Sequence, residues 1–170
     1  MATLPWYFLI DGSAEGLPSF DNLLQSPVAP PSRPAPGPDE TCLILYTSGT
    51  TGFPKGVMHS QRNFTLAGEA FVERMFLQPC DRLLIVLPLF HINALFYSLG
   101  GALAAGASLV IVSKFSASAF WRIAAESGAT EVNIIGAVGS ILTRRPRSEF
   151  VPTHRLKKIY GAGMSLETLD

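Results

Sequence analysis

Charged residues are scarce in this 170-residue chain, and the two signs cancel. Lysine and arginine together number 13, aspartate and glutamate number 13, and charged residues make up 15% of the sequence. A net charge of zero gives no electrostatic basis for binding nucleic acid or an anionic membrane. The local cluster Arg144-Arg145-Arg147 is typical of a solvated helix end. With 48% hydrophobic residues, the composition instead indicates one globular domain with a sizeable core.

Cysteines and targeting signals are also nearly absent. The two cysteines, Cys42 and Cys80, have neither metal-binding nor redox spacing, and nothing in their use calls for an oxidising compartment. The N-terminus has no basic region ahead of its short apolar run, so it does not read as a signal peptide. We therefore predict a cytoplasmic protein.

One long stretch has no charge at all. Residues 83–113 contain no Asp, Glu, Lys or Arg, a length that suits a membrane span. Proline and glycine residues divide it, however, into two strand-like runs and one helix-like run. A buried β-α-β unit explains the pattern better, because parallel strands covered on both faces read as continuous apolar runs. We predict no transmembrane segment.

The remaining pattern alternates between strands and helices. Residues 27–38 hold six prolines and are expected to form an extended connector. Such alternation predicts an α/β fold with a mostly parallel sheet and helices on both faces. Ser60 and Ser116 are candidate N-caps. Strands are predicted at 6–10, 41–46 (buried, with Cys42 as a small hydrophobe), 57–59, 83–87, 108–112, 132–135 and 157–160, and helices at 62–77, 94–105, 116–127 and 137–145.

The most informative segment is residues 46–56, which combine hydroxyl side chains, glycines and a lysine. Glycines let a backbone turn tightly around a ligand, and exposed N–H groups, hydroxyls and an ammonium bind anions. The segment is not a Walker loop, because Pro54 stands where the second glycine belongs. A solvent-exposed turn is the alternative interpretation. The segment reads Tyr46-Thr47-Ser48-Gly49-Thr50-Thr51-Gly52-Phe53-Pro54-Lys55-Gly56.

This string closely resembles the signature of the adenylate-forming superfamily, the AMP-dependent synthetases and ligases. The Thr50-Thr51 pair and the following Val57-Met58-His59-Ser60 resemble its acyl-CoA synthetase branch. Residues 88–92 (Pro-Leu-Phe-His-Ile) resemble the second family motif, and residues 159–163 (Ile-Tyr-Gly-Ala-Gly) resemble the adenine-contacting strand end. The run from Phe115 to Trp121 resembles synthetases of the carnitine/crotonobetaine and fatty-acid type. The resemblance spans the whole chain, which would cover only an internal fragment of such an enzyme.

The resemblance implies a ligase that uses ATP, Mg²⁺ and CoA to convert a small carboxylic acid into a thioester through an acyl-adenylate. By resemblance, His91 lies near the acyl pocket and gates the thiol, and Thr51 contacts Mg²⁺. Without the resemblance, His91 could equally be a hydrogen-bonded structural residue. Residues 161–163 could equally be an ordinary transition from a strand to a turn. The implied nucleotide-binding residues are Thr47, Ser48, Gly49, Thr50, Thr51, Gly52, Lys55, Gly161, Ala162 and Gly163.

The three motif regions each follow a predicted strand. Ligands of open α/β sheets collect at the carboxyl ends of strands, so one shared cleft is expected. By resemblance, residues 40–170 form a partial AMP-binding domain, part of the large N-terminal domain of such an enzyme, and residues 1–39 form an extension with a proline-rich linker. The family's acidic Mg²⁺ ligand, ribose-binding Asp and catalytic Lys lie beyond the matched segments. The alternative function is therefore a truncated, catalytically inactive nucleotide-binding module.

Overall fold

The computed structural model of the chain describes residues 19–25, 34–47 and 52–164. The chain divides into two compact units, residues 1–35 and 36–170. In the first unit the described element is helix α1, Phe20–Gln25, where the hydroxyl of Ser19 accepts a hydrogen bond from the Asp21 N–H at 3.2 Å. The strand predicted at 6–10 and much of the proline-rich connector lie outside the described residues.

The second unit begins with an antiparallel hairpin. Strand β1, Thr41–Thr47, pairs with strand β2, Lys55–Ser60, in a two-stranded sheet. The prediction that β1 is buried was wrong: its residues are exposed or half-buried. The reason is that β1 pairs with β2 and not with the parallel sheet, so it is not covered on both faces. Cys42 is accordingly half-buried, with its thiol 3.4 Å from the His59 carbonyl oxygen.

Helix α2, Gln61–Met75, follows the hairpin directly. Ser60 caps it as predicted, because its hydroxyl accepts a hydrogen bond from the Asn63 N–H at 3.1 Å. Phe76, the residue directly after the helix, has a left-handed φ of 50° and terminates it. The buried face of α2 includes Gly68 and Phe71.

A four-stranded parallel sheet forms the centre of the second unit. Its strand order is β4-β3-β5-β6, so the connection from β4 to β5 crosses over β3. All four strands had been predicted to within a few residues at each end. They are β3, Arg82–Ile85; β4, Ser108–Ile111; β5, Glu131–Ile135; and β6, Lys158–Ala162.

The connection between β3 and β4 confirms the β-α-β interpretation of the uncharged stretch. It consists of a π-helix, Asn93–Leu99, which continues into helix α3, Gly100–Ala105. Among the described residues, no helix is long and apolar enough to cross a membrane. The sequence predicted one regular helix here and missed the wider π turns.

Two further helices connect β4 to β5 and β5 to β6. Helix α4 covers Phe120–Ser127, and helix α5 covers Gly136–Thr143, followed by a short 3₁₀ helix, Arg147–Glu149. The prediction that α4 is capped by Ser116 was wrong. The backbone around Ser116 forms turns, in which its carbonyl oxygen accepts the Ala119 N–H at 3.3 Å, and the helix starts four residues later.

The helices cover both faces of the parallel sheet, as predicted. On one face, Leu83 of β3 packs with Phe71 of α2 and Ala102 of α3. On the other face, Leu84 and its neighbours on β5 pack with residues of α4 and α5 such as Phe120 and Val138. Adjacent residues of β3 thus enter opposite cores, because successive side chains of a strand point to opposite faces.

Candidate functional site

The hydroxyl- and glycine-rich segment forms the loop of the β1–β2 hairpin. Thr47 and Lys55 are opposite each other in the register, and the Thr47 hydroxyl lies 3.4 Å from the Lys55 carbonyl oxygen, to which it donates. This pair closes the hairpin and places Lys55 opposite Thr47. Of the predicted phosphate-binding residues, Ser48, Gly49, Thr50 and Thr51 lie outside the described residues, and so does the predicted Mg²⁺ contact of Thr51.

The described end of the loop has the backbone that a tight turn requires. Gly52 has φ +95°, in the region that side chains disfavour, and a Cβ added there would meet no atom within 4 Å. The side chains of Phe53 and Lys55 are exposed. Backbone and ammonium therefore both face solvent, where an anionic ligand can reach them.

His59 ties the hairpin to the helices that follow β3, and the sequence reading assigned it no role. Its Nδ1 lies 2.6 Å from the Asn63 side-chain oxygen. Its ring meets the buried Phe96 of the π-helix edge-on, with centroids 4.8 Å apart. The end of the β1–β2 hairpin is therefore in direct contact with the π-helix, which begins two residues after His91.

His91 lies in the loop between β3 and the π-helix. Its N–H donates to the Pro88 carbonyl at 3.0 Å, and its own carbonyl accepts the Leu95 N–H at 3.0 Å. The ring is exposed and lies 4.7 Å from the ring of Phe90. The backbone of His91 is thus part of the turn, while the imidazole is accessible to a ligand.

Behind His91 is a set of buried polar side chains that the sequence reading missed. Asn133 of β5 donates to the Ser98 hydroxyl of the π-helix at 2.9 Å, and both are nearly inaccessible. The side-chain oxygens of Asn133 and Asn93 are buried without a hydrogen-bond partner among the described residues. The available signal was the presence of Asn93 and Asn133 inside apolar runs.

The segment predicted to contact adenine ends strand β6. Gly161 and Ala162 are opposite Ile134 and Ile135 of β5, and residues 161–163 are exposed. The backbone of Gly136, which starts α5, approaches the Gly163 carbonyl so closely that a Cβ would collide with it. This packing fixes the turn after β6 against the start of α5 and leaves the strand end open to solvent.

An apolar cavity lies near this strand end. It has a volume of about 600 Å³ and lies on the sheet face that α4 and α5 cover. Gly161 and Met164 form part of its wall, together with Trp121 and Leu142, and His91 and the hairpin residues are not in that wall. The cavity therefore adjoins the predicted adenine segment without including the rest of the candidate site.

The structure brings two of the three predicted motif regions to one edge of one sheet. The His91 loop follows β3 and residues 161–163 end β6, with β5 between these strands, so both lie at the carboxyl edge. The hairpin loop belongs to the separate two-stranded sheet, which corrects the expectation that all three follow strands of one sheet. Its link to the others is the His59–Phe96 contact. In the described parts of the chain, no group of three or more His, Cys, Asp and Glu side chains could hold a metal ion.

Comparison with known proteins identifies the family. Residues 6–169 match the family of AMP-binding enzymes. The chain is 42% identical over 116 residues to sulfoacetate–CoA ligase of Cupriavidus necator, covering 68% of this chain and 23% of that protein. It is 36% identical over 146 residues to crotonobetaine/carnitine–CoA ligase of Escherichia coli, covering 85% of this chain and 28% of that protein.

A solved structure gives the same result at the level of the fold. The inhibitor-bound N-terminal domain of FACL13 from Mycobacterium tuberculosis superposes with a TM-score of 0.78 at 26% identity, over 88% of this chain and 38% of that one. The chain spans about a quarter of the length of the two curated relatives. The fold, the motif and these relatives agree, and the chain belongs to the AMP-binding enzyme family.

Proposed function

We propose that the chain contributes the phosphate loop and the adenine-contacting strand end of an ATP-dependent acid–CoA ligase. In this reaction a carboxylate oxygen attacks the α-phosphate of ATP, and pyrophosphate leaves. The CoA thiol then attacks the acyl carbon of the acyl-adenylate, and AMP leaves. The observation that carries the proposal is the hairpin, in which Thr47 and Lys55 close a glycine- and hydroxyl-rich connection that includes Gly52 with φ +95°.

The loop provides donors for the β- and γ-phosphates. Lys55 supplies a positive charge, and the backbone at Gly49 and Gly52 allows close approach to the phosphates. The hydroxyls of Ser48, Thr50 and Thr51 add hydrogen bonds, and that of Thr51 is an oxygen ligand of the kind that Mg²⁺ prefers. Catalysis of this step depends mostly on positioning and charge stabilisation, since two anions must be brought together.

The carboxyl edge of the parallel sheet holds the other parts of the substrates. The exposed residues 161–163 offer a flat backbone surface for the adenine ring, and the exposed imidazole of His91 lies beside the entry for acid and thiol. His59 joins the two regions through its contact with Phe96. This arrangement supports ATP bound between the hairpin loop and β6, with the acid on the side of the π-helix.

The acid substrate is proposed to be a small molecule, and the reaction to take place in the cytoplasm. The named relatives, one acting on sulfoacetate and one on crotonobetaine and carnitine, together with medium- and long-chain fatty acids, define the first set to screen. The division into a 1–39 extension with a proline-rich linker and a partial AMP-binding domain at 40–170 stays a prediction.

The test is carboxylate-dependent exchange of labelled pyrophosphate into ATP by the parent protein, screened across these acids. Exchange that requires one class of acid supports the proposal, and the absence of exchange with every acid contradicts it. For the 170-residue chain on its own we expect weak ATP binding and no acyl-AMP. Formation of acyl-AMP by the purified chain would overturn that second expectation.

The alternative is a nucleotide-binding module without ligase activity. It is favoured by the lack, within the described residues, of a cluster of acidic, His or Cys side chains that could hold Mg²⁺. The same assay separates the two functions, because the module binds ATP but gives no acid-dependent exchange in the parent protein.

A further inference from the structure

Glu131 is a fully buried acid at the end of the parallel sheet opposite the candidate site. It is the first residue of β5, and its partners in the register are Leu83 of β3 and Lys158 of β6. Its accessible fraction is 0%. Neither carboxyl oxygen has a hydrogen-bond partner among the described residues. A carboxylate in such a position is costly, whereas the neutral acid is much less so.

The charged groups nearest to Glu131, Asp81 and Lys158, already form an ion pair with each other. Asp81 accepts hydrogen bonds from the Gln78 N–H at 2.8 Å, the Thr130 hydroxyl at 2.8 Å and the Lys158 ammonium at 2.7 Å. Lys158 also donates to the carbonyl oxygen of Phe76 at 2.7 Å. These contacts hold Asp81 ionised, with a pKa below its usual range despite the opposing effect of burial. Asp81 and Lys158 therefore form a neutral pair next to Glu131.

Burial, reinforced by the negative charge of Asp81 and partly opposed by Lys158, raises the pKa of Glu131 to about 8. Other ionisable groups lie on the elements packed against this face of the sheet. They include Tyr160 of β6, whose ring meets that of Tyr97 of the π-helix edge-on at 5.8 Å, and Arg74 of α2, whose guanidinium lies 5.8 Å from the centre of the Tyr160 ring.

The backbone around Glu131 joins three strands. The Thr130 N–H donates to the Arg82 carbonyl at 2.8 Å, and the Thr130 carbonyl accepts from the N–H groups of Lys157 and Lys158 at 2.8 and 3.1 Å. Its hydroxyl also accepts the Arg82 N–H at 2.9 Å. A charge on Glu131 would have to draw Lys158 away from Asp81 or admit water, and either change would strain this junction.

We propose that Glu131 is held as the neutral acid in the folded chain and that the junction of β3, β5 and β6 loosens when this acid loses its proton at alkaline pH. In the unfolded chain Glu131 is ionised above about pH 4.5, the ordinary value, whereas in the folded chain it stays protonated up to about pH 8. The folded state therefore holds one more proton in this window. The contribution of Glu131 to the stability of the fold is therefore complete below pH 4.5. It is lost as the pH rises from 4.5 through 8.

The test compares unfolding by urea at a series of pH values between 5 and 9 for the full chain and for Glu131→Gln, which keeps the shape without the ionisation. For the unsubstituted chain we expect the unfolding equilibrium constant to rise by up to about tenfold per pH unit more than for Glu131→Gln, because one proton is released on unfolding. Glu126→Gln is the matched control, since Glu126 is an exposed acid on α4 that pairs with Arg122. It should keep the pH dependence of the unsubstituted chain. Identical pH dependence in all three proteins would overturn the proposal.

A second measurement does not depend on the stability of a variant. The carboxyl carbon of Glu131, followed by carbon-13 NMR in the folded chain, should titrate near pH 8, well above the ordinary glutamate value of 4.5. A titration midpoint near the ordinary value of 4.5 would show that Glu131 is ionised in the folded chain at neutral pH and would refute the proposal.

Discussion

At the scale of single residues, Lys55 and Gly52 are two described residues of the proposed phosphate loop, and each contributes a different property. Lys55 provides charge at the point where β2 begins, and its side chain is exposed. Gly52 provides a backbone conformation, φ +95°, that other residues adopt only with strain. Charge and conformation can be removed separately, so each has its own prediction.

Lys55→Ala should weaken ATP binding by about fivefold, since an exposed charge contact is worth up to about 1 kcal/mol. The difference should shrink in high salt, because salt screens exposed charges. Titration calorimetry at two salt concentrations measures both effects. Lys114→Ala is the control, because Lys114 is also an exposed lysine but follows β4. An equal loss in both variants would contradict a local role for Lys55.

Gly52→Ala should lower stability by about 1–2 kcal/mol from backbone strain alone, since the added Cβ meets no neighbour. It should also weaken ATP binding. Gly106→Ala is a matched control because Gly106, with φ +67° and equally open surroundings, imposes the same kind of strain outside the loop. Thermal unfolding should show a similar loss of stability in both variants, whereas ATP affinity should be reduced in Gly52→Ala alone. Unchanged affinity in both would argue against the loop as the nucleotide site.

Some residue roles followed from the sequence and others did not. Ser60 could be predicted as a cap because a serine directly precedes an amphipathic run. Ser116 met the same criterion, but the chain there forms turns, and the helix starts at Phe120. The proposed neutral state of Glu131 could not be predicted, because it depends first on complete burial and then on the charge of Asp81, which lies 50 residues away in sequence and becomes a neighbour through the fold.

At the scale of elements, the junction of α2 with the π-helix and α3 controls where the His91 loop is held. The sequence predicted both helices but neither the π turns nor this contact. A Cβ on Gly68 of α2 would lie 2.6 Å from the carbonyl oxygen of Gly100, the first residue of α3. Backbone touches backbone here, which a hydrophobic pattern does not reveal.

Gly68→Ala should therefore destabilise the chain by about 1–3 kcal/mol, because the clash is with backbone and the two helices must separate. Urea unfolding measures the cost, and hydrogen exchange should show faster exchange in residues 93–105. Ala70→Ser, on the exposed side of the same helix, should change stability by no more than about 0.5 kcal/mol. If Gly68→Ala leaves the free energy of unfolding unchanged, α2 and α3 are not packed as closely as described.

Asp81 stabilises the amino-terminal end of the sheet as an anion. Its pKa is lowered in the fold, so its stabilising effect is complete above the ordinary carboxyl range and is lost as pH falls below it. Asp81→Asn should reduce stability at neutral pH by about 3 kcal/mol, since it leaves the half-buried Lys158 without its counter-charge. The loss should shrink towards pH 2 to 3 in urea unfolding experiments. A deficit that is constant with pH would contradict the ionised state of Asp81.

At the scale of the whole molecule, the α/β fold and its family were predictable, whereas the placement of the hairpin was not. The alternation of apolar runs and helical segments predicted the parallel sheet, because each apolar run is long enough for one buried strand. The same reasoning placed β1 in a buried sheet, although it forms a separate two-stranded sheet with β2. Sequence pattern shows that a segment is extended, but not which partner it pairs with.

That hairpin exposes an apolar face, and the chain should self-associate. Ile44 and Met58 are opposite each other in the register and are 53% and 70% exposed, and Tyr46 beside them is 73% exposed. Contiguous exposed apolar groups favour association. Light scattering after size exclusion should show oligomers or aggregates, reduced when Ile44→Thr and Met58→Lys are combined. A monodisperse monomer with a cooperative thermal transition would contradict this prediction.

The most direct test of the account is where ATP binds. Amide chemical shifts of the nitrogen-15-labelled chain, recorded while ATP is added to millimolar concentration, report each residue separately. We predict that the largest changes occur at residues 47–56 and 161–163, and that in Lys55→Ala they require about fivefold more ATP to reach the same size. Changes confined to other regions, such as the basic residues 144–158, or no saturable change at all, would contradict the assignment of the hairpin loop as the phosphate site.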